Sequence, residues 1–549
     1  MSARVHPTTA RRSIDQSSVA RRALLGLLVL ASCGRAGSTM RVSNAGPAPE
    51  APASASPITA VVPREPAQVT GGCTTAVGDR EFSVGPGRRY ENVGDVPFES
   101  LAPGDTVRIF WREQPYREKM MISGQGTASR PIRVCGIPGP DGQLPVIDGQ
   151  DATTRRELDF PFSGHQVRGL VIIGHPHGQP WGEATPSYIV LEGLEVRNAA
   201  PPYSFTDRSG KKVPYSAIAA GIFVERANHL TIRGCTVTAN NNGMFVGTGG
   251  GEVALTQDVL IERNYIHDNG SLADYYEHNV YNEASNVVYQ FNRFGPPRGG
   301  KNGILGANIK ERSAGVVVRY NWIEDGAHIM DIVDAQESKD VTRPMPSFHS
   351  TYVYGNVIIR GTLPSGSMIH YGGDSGVAED YRKGTLFFYN NTVIVKNESY
   401  GTYTRTPIFE LSTNDEHLDS RNNVYFSTVE PDELHAIGML GARDQISSGV
   451  ATFAGDWVKK GWTVHDLTLG AKVELRAQVH DFDKMTKGDQ PGFRDAGAEL
   501  YELFGPASPA VPVALRPAVP VELLPTSQYV KHQLGKPRGE PLTLGALYE

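Results

Sequence analysis

The chain is predicted to be all-β: a solenoid of short stacked strands, that is, a parallel β-helix. Three observations predict it. First, Val259-Leu-Ile-Glu-Arg-Asn264-Tyr-Ile recurs as Val287-Val-Tyr-Gln-Phe-Asn292-Arg-Phe and as Val316-Val-Val-Arg-Tyr-Asn321-Trp-Ile, at spacings of 28 and 29 residues, a period at which no single repeat can bury its own apolar face. Second, each copy holds two strand-like pieces rich in Val, Ile, Tyr and Phe, cut off by Gly or Asn. Third, no window sustains the 3.6-residue spacing of a helix over a useful length.

The amino-terminal end reads as an export signal, residues 1–32. Arg21-Arg22 precede the apolar stretch Ala23 to Ala31, which is too short to span a bilayer as a permanent helix. Leu30-Ala-Ser-Cys33 matches the bacterial lipobox, which implies cleavage before Cys33 and lipid on its thiol; the alternative is an ordinary signal peptide with Cys33 incidental. The arginine pair also loosely resembles a twin-arginine signal. Gly34 after Cys33 resembles the outer-membrane pattern of Gram-negative lipoproteins, so an exported, envelope-located protein is expected. It would touch the membrane through its lipid alone. Residues 33–75 carry this cysteine and a tether rich in Ala, Pro and Ser.

The coil itself is expected over 76–445. Further copies are Ile189 to Val196 with Leu194 in the Asn place, Leu230 to Val237 with Cys235, Thr351 to Ile358 with Asn356, Leu386 to Val393 with Asn391, and a frayed copy at Asn423. Asn at a recurring corner has two physical reasons: it tolerates the left-handed backbone of a tight turn, and its amide can bond to the Asn one coil above. Cys235 in an Asn place implies an inward, buried thiol. Of Cys73, Cys135 and Cys235, the pair expected to form a disulfide is Cys73 and Cys135, both near the start of the coil.

Residues 446–549 read as a capping and strap segment. The stretch 506–526, rich in Pro, Val and Leu, is expected to run extended along the coil and cap an open sheet end.

The opening coil, Ile122-Ser-Gly-Gln-Gly-Thr-Ala-Ser-Arg-Pro-Ile-Arg-Val and then Pro145-Val-Ile-Asp-Gly149, resembles the first rung of many bacterial right-handed parallel β-helix proteins of the pectin-lyase-like superfamily. The resemblance covers roughly residues 76 to 440. It implies a single-stranded right-handed coil with an irregular amino-terminal cap; it implies no single activity, because the superfamily hosts lyases, hydrolases, epimerases and proteins without known catalysis.

Aligning the strand before each Asn-bearing segment places Phe223, Phe245, Val280, Ile309, Met330, Ile369 and Ile408 in an inward position. Alternation then sends Val224, Val246, Tyr281, Lys310, Asp331, His370 and Phe409 outward. Coils stack about 4.8 Å apart, so Tyr281, Lys310, Asp331 and His370 are expected to form a polar ladder on one face, flanked by His278, Arg312 and His328. Gly-rich stretches at 247–251 and 299–306 are expected to enclose it.

Such a groove could support β-elimination of a uronic-acid-containing polysaccharide, which needs a cation for the sugar carboxylate, a base for the adjacent carbon-bound proton and an acid for the leaving oxygen. Lys310 is the expected base beside Arg312, with Tyr281 or His278 as the acid. Glu283, Glu311, Asp331 and Asp334 are the expected ligands of a Ca²⁺ ion. Asn308-Ile-Lys310 resembles the Lys-bearing strand of lyases related to chondroitinase B and alginate lyase. Their next rung carries an Arg in an Arg-His-Gly context, and this chain reads Met330-Asp331-Ile332 there, so Lys310 carries over and that arginine does not.

A hydrolase is a second reading, with Asp331 and Asp334, Asp325 or Glu311 as the two carboxyl groups. A non-catalytic glycan-binding envelope protein is a third, with Tyr275, Tyr276 and Tyr281 stacking on sugars. A net charge of −6 gives no general attraction to nucleic acid, and a monomer is expected.

Overall fold

The computed structural model describes residues 72–549 except 159, 161–162, 181, 250, 301–302, 362–365, 397–403, 431–434, 443–444, 468–473, 504–514 and 540–542. The expected signal, most of the tether and the lipid site at Cys33 lie outside these residues. Three long parallel sheets carry the fold. The first runs from Glu81–Val84 to Gln478–His480 with thirteen described strands, the second from Met120–Ile122 to Thr463–His465 with eleven, and the third from Val146–Asp148 to Thr486–Gly488 with eleven. One coil visits each sheet in turn: Ala220–Val224 in the second, Asn228–Arg233 in the first, Thr236–Thr238 in the third, then Asn242–Val246 back in the second. This is a parallel β-helix, with a single four-residue α-helix among the described residues, Lys339–Thr342. Strands from all three sheets continue past residue 445, so the coil is longer than the repeats alone marked out.

The recurring Asn residues form a buried amide ladder. Asn264 Nδ2 donates to Asn292 Oδ1 (3.1 Å), Asn292 to Asn321 (3.0 Å), Asn321 to Asn356 (2.9 Å), Asn356 to Asn391 (3.0 Å) and Asn391 to Asn423 (3.1 Å). Asp456 Oδ1 ends the column by accepting from Asn423 at 2.9 Å. Each carbonyl oxygen also accepts the backbone N–H of the preceding rung, as Asn321 Oδ1 does from Asn292 N at 2.9 Å, so a turn that must be buried leaves no donor unpaired. The left-handed conformation falls on the residue before the Asn instead: Arg263 (φ 55°), Phe291 (56°), Tyr320 (55°), Asn390 (53°) and Asn422 (57°). That kink is what turns the following Asn inward.

The inward register is Ile222, Met244, Val280, Ile309, Met330, Ile369 and Phe409, all fully buried. Phe223 and Phe245 therefore face outward, while Val224, Val246 and Phe409 face the core. At these rungs the aligned positions were one residue off, and a slip of one exchanges the two faces of a strand. Cys73 and Cys135 are joined, with Cα atoms 6.0 Å apart. Cys235 is fully buried, and burial pushes its thiol up to about 12.

The carboxy-terminal strap runs along the flank of the coil. Leu515 N donates to Asn422 Oδ1 (2.7 Å), Tyr389 Oη to Leu523 O (2.6 Å), Thr526 N to Tyr320 Oη (2.9 Å) and Gln533 Nε2 to Arg263 O (2.7 Å). The strap thus passes the turn corners of successive coils in reverse order and covers that edge.

Candidate active site

The second sheet brings Tyr281, Lys310, Asp331 and His370 into direct register in four consecutive coils, and Glu410 follows His370. The coils before Tyr281 place Met121, Ile172, Phe223 and Phe245 in the same column. The Phe245 ring stacks on Tyr281 with centroids 4.6 Å apart. The polar column thus starts where an aromatic floor stops. A cleft of about 530 Å³ lies over it, lined by Tyr281, Lys310, Asp331 and His370 together with the flanking His278, Arg312 and His328. Among the described residues, Leu305 of the second Gly-rich stretch lines the cleft, with Ala307 just after it, and none of the first stretch does.

The charges form one connected network. Lys310 Nζ donates to Asp331 Oδ2 and to Asp374 Oδ2. Arg312 grips the same Asp374, with Nη1 to Oδ1 at 3.0 Å and Nη2 to Oδ2 at 3.1 Å, the paired geometry that a guanidinium offers a carboxylate. His370 Nδ1 lies 2.8 Å from Asp331 Oδ1, and its Nε2 lies 2.9 Å from Ser412 Oγ. Burial by itself would raise the Asp331 carboxyl; Lys310 and the bond to His370 hold it well below the usual range. Asp374 is held low in the same way, by Lys310 and Arg312 against burial. Burial lowers the His370 imidazole, but Asp331 and Glu410 outweigh it and bring it up to about 9.

His278 is neutral. Burial first, and then the Lys310 charge, push it down to about 3, and its Nδ1 accepts the Ala307 N–H at 3.0 Å, which leaves Nε2 carrying the proton. Burial also lowers His328, whose Nδ1 donates to Ser367 O at 2.8 Å. Burial raises the Tyr281 phenol well above its ordinary value, so it stays protonated.

The set Glu283, Glu311, Asp331 and Asp334 does not assemble as a calcium site: no three of these bring oxygens within 4.8 Å of one another. Alternation explains Glu311, which follows the outward Lys310 and therefore points into the core, accepting from Tyr289 Oη at 2.6 Å and Ser313 N at 2.8 Å. Glu283 Oε1 accepts Gln336 N, Ser338 N and Ser338 Oγ at 2.7–2.9 Å. Asp334 Oδ1 accepts the Asp374 N–H at 2.7 Å and so holds the loop that carries Asp374.

Asp374 is the central residue that the repeats did not disclose. It sits in Gly372-Gly-Asp-Ser-Gly376, directly after the His370 strand, and that turn sequence was the available signal. The rung after Lys310 carries no arginine, and Arg312, two residues along the same coil as Lys310, places a guanidinium in the cleft. Asp331, His370 and Ser412 have the order of an acid–histidine–serine triad, but a histidine that keeps its proton cannot activate the hydroxyl, and Ser412 is not among the residues lining the cleft.

No protein-family model and no curated protein matches the chain. Among solved structures, pectate lyase Pel9A is similar at 12% identity over 87% of this chain and 97% of that one, with a TM-score of 0.38. An alginate lyase from Paenibacillus sp. str. FPU-7 is similar at 13% identity over 70% and 94%, with a TM-score of 0.30. The GH136 lacto-N-biosidase from Eubacterium ramulus is similar at 12% identity over 73% and 68%, with a TM-score of 0.36. On the evidence of its own three stacked sheets, the chain is a parallel β-helix protein.

Proposed function

We propose that this protein binds an acidic polysaccharide along the cleft of the second sheet and cleaves it by β-elimination. The observation that carries the reading is the joint grip of Lys310 and Arg312 on the carboxylate of Asp374. A uronate carboxylate has the same shape and charge, and it would take the place of Asp374 when the sugar enters. Arg312 then neutralises the sugar carboxylate; Lys310 passes its own proton to the displaced Asp374 carboxylate and, now neutral, takes the proton from the adjacent carbon; and Tyr281, protonated and level with Lys310 one coil away, gives a proton to the leaving oxygen. Tyr275 and Tyr276, 67% and 65% exposed on the cleft wall, offer flat faces to neighbouring sugar rings.

The hydrolase reading is weaker on the same geometry. Glycosidases need one carboxyl group that keeps its proton, and both acids lining the cleft, Asp331 and Asp374, are held ionised by cations.

The test is to incubate the full chain with alginate, pectate and glycosaminoglycans, with and without Ca²⁺, and to follow the absorbance of unsaturated uronate. Absorbance growth that disappears in Lys310→Ala supports the lyase. Reducing ends without absorbance indicate hydrolysis, and binding without product indicates a recognition role. Export and lipid attachment at Cys33 belong to the same proposal; fatty-acid labelling of the wild type that persists in Cys33→Ala would refute the anchor.

A further inference from the structure

We propose that His328, Asp331 and His370 form a binding site for a divalent transition-metal ion, of the zinc or manganese class, opening into the cleft. A nitrogen from each histidine and an oxygen from Asp331 lie within 4.8 Å of one another, and all three residues line the cleft. Asp331 and His370 face each other in register, and His328 enters the same strand as Asp331 two residues before Met330. With three donors supplied by the floor, the remaining coordination positions face the open space, as in metal sites that receive a substrate.

Each ligand is already held from behind. His328 Nδ1 donates to Ser367 O at 2.8 Å, which leaves Nε2 for the ion. His370 Nε2 is anchored 2.9 Å from Ser412 Oγ, and Ser412 in turn accepts the Gly373 N–H at 3.1 Å, which leaves Nδ1 for the ion. Asp331 commits Oδ2 to Lys310 and keeps Oδ1 toward His370. Anchoring the remote atom of each ligand fixes tautomer and orientation before the metal arrives. In the metal-free protein a proton occupies the line between His370 Nδ1 and Asp331 Oδ1, and the ion displaces it to solvent.

The donor set selects the class of ion. Calcium takes oxygen ligands, whereas two imidazoles and one carboxylate suit zinc, manganese or iron(II). The formal charge also fits: Asp331, Asp334 and Asp374 face Lys310 and Arg312, Glu410 lies 3.9 Å from His370, and once His370 has given up its proton a dication balances the excess of negative charge. The site does not depend on which reaction the cleft runs; under the lyase reading, the ion faces the incoming sugar carboxylate and draws Asp331 away from Lys310.

The test uses the full, untagged chain, stripped with a chelator and titrated calorimetrically with Zn²⁺, Mn²⁺ and Ca²⁺. One equivalent of Zn²⁺ or Mn²⁺ is expected, with no equivalent Ca²⁺ signal. His328→Ala should weaken binding on the order of 100-fold with its thermal unfolding unchanged. A variant-independent readout covers the case in which His328→Ala does not fold: Co²⁺-loaded wild type should show visible bands of nitrogen-ligated metal. No stoichiometric binding, undiminished binding in His328→Ala, or a Co²⁺ spectrum like that of the free aqueous ion overturns the proposal. Uronate product is scored separately by its absorbance, so loss of the lyase reading and loss of the metal site are distinguishable.

Discussion

Arg312 and Asp374 form a two-point ion pair across the cleft, at 3.0 and 3.1 Å, and Lys310 shares the same carboxylate. Under the proposed function, Asp374 occupies the position that an acidic sugar needs. Asp374→Asn removes the competing charge while keeping the shape of the loop. The expected outcome is tighter binding of acidic oligosaccharides, by about 10-fold, equivalent to about 1.4 kcal/mol. Calorimetric titration of wild type and variant checks it, and weaker binding in the variant would show that Asp374 positions the cations for the ligand.

Arg312→Lys preserves charge but not the planar fork. Affinity for acidic oligosaccharides should fall about as far as in Arg312→Ala, within about threefold. Comparing the two dissociation constants decides the matter: full retention by the lysine would mean that charge alone recognises the ligand.

Lys310→Ala should abolish the eliminative product, a loss of about 10²-fold or more if it is the proton acceptor. Tyr281→Phe should lower kcat more than it raises KM if the phenol protonates the leaving oxygen as proposed. Equal loss through KM alone would assign Tyr281 to binding.

Asn321 accepts from the backbone and side chain of Asn292 and donates to Asn356. Asn321→Ala strands two buried donors of Asn292, its N–H and Nδ2, takes a donor away from Asn356 Oδ1, and should cost about 2–4 kcal/mol. The midpoint of denaturant unfolding measures this, and a change under 0.5 kcal/mol, roughly what a surface substitution produces, would mean that the ladder is incidental to stability.

Glu225 gives a pH dependence. Burial pushes its carboxyl up to about 8, with His175 Nδ1 at 3.0 Å. The folded protein therefore holds a proton that the unfolded chain releases. Its contribution is present below about 4.5, the ordinary value, and is lost as pH rises through about 8. Glu225→Gln should match the wild type at low pH and exceed it on the alkaline side by on the order of 2 kcal/mol. Melting midpoints of both proteins from pH 5 to 9 provide the check, and parallel curves would refute it.

Much of the site was legible because the coil converts sequence period into spatial adjacency. Once Asn264, Asn292 and Asn321 set the rung length, Lys310 and Asp331 could only be neighbours along the stacking axis. The reading slipped at Phe223, Phe245 and Phe409, where glycine or proline near the strand start blurred the phase by one residue. It also failed for Glu311, which alternation sends into the core, and for Glu283, whose carboxylate is taken by the backbone and side chain of the 336–338 loop.

By itself the sequence determined the stacked coil, the buried Asn column and the outward ladder from Tyr281 to His370, because all three follow from a repeat length and the two-residue alternation of a strand. Tertiary structure alone decided that Asp374 bridges Lys310 and Arg312, that His328 meets Asp331 and His370, and that the strap meets the coil at Asn422, Tyr389, Tyr320 and Arg263. Those contacts join loops of unequal length to fixed rungs, and a loop without a period carries no register in the sequence; its position is set only by what it packs against.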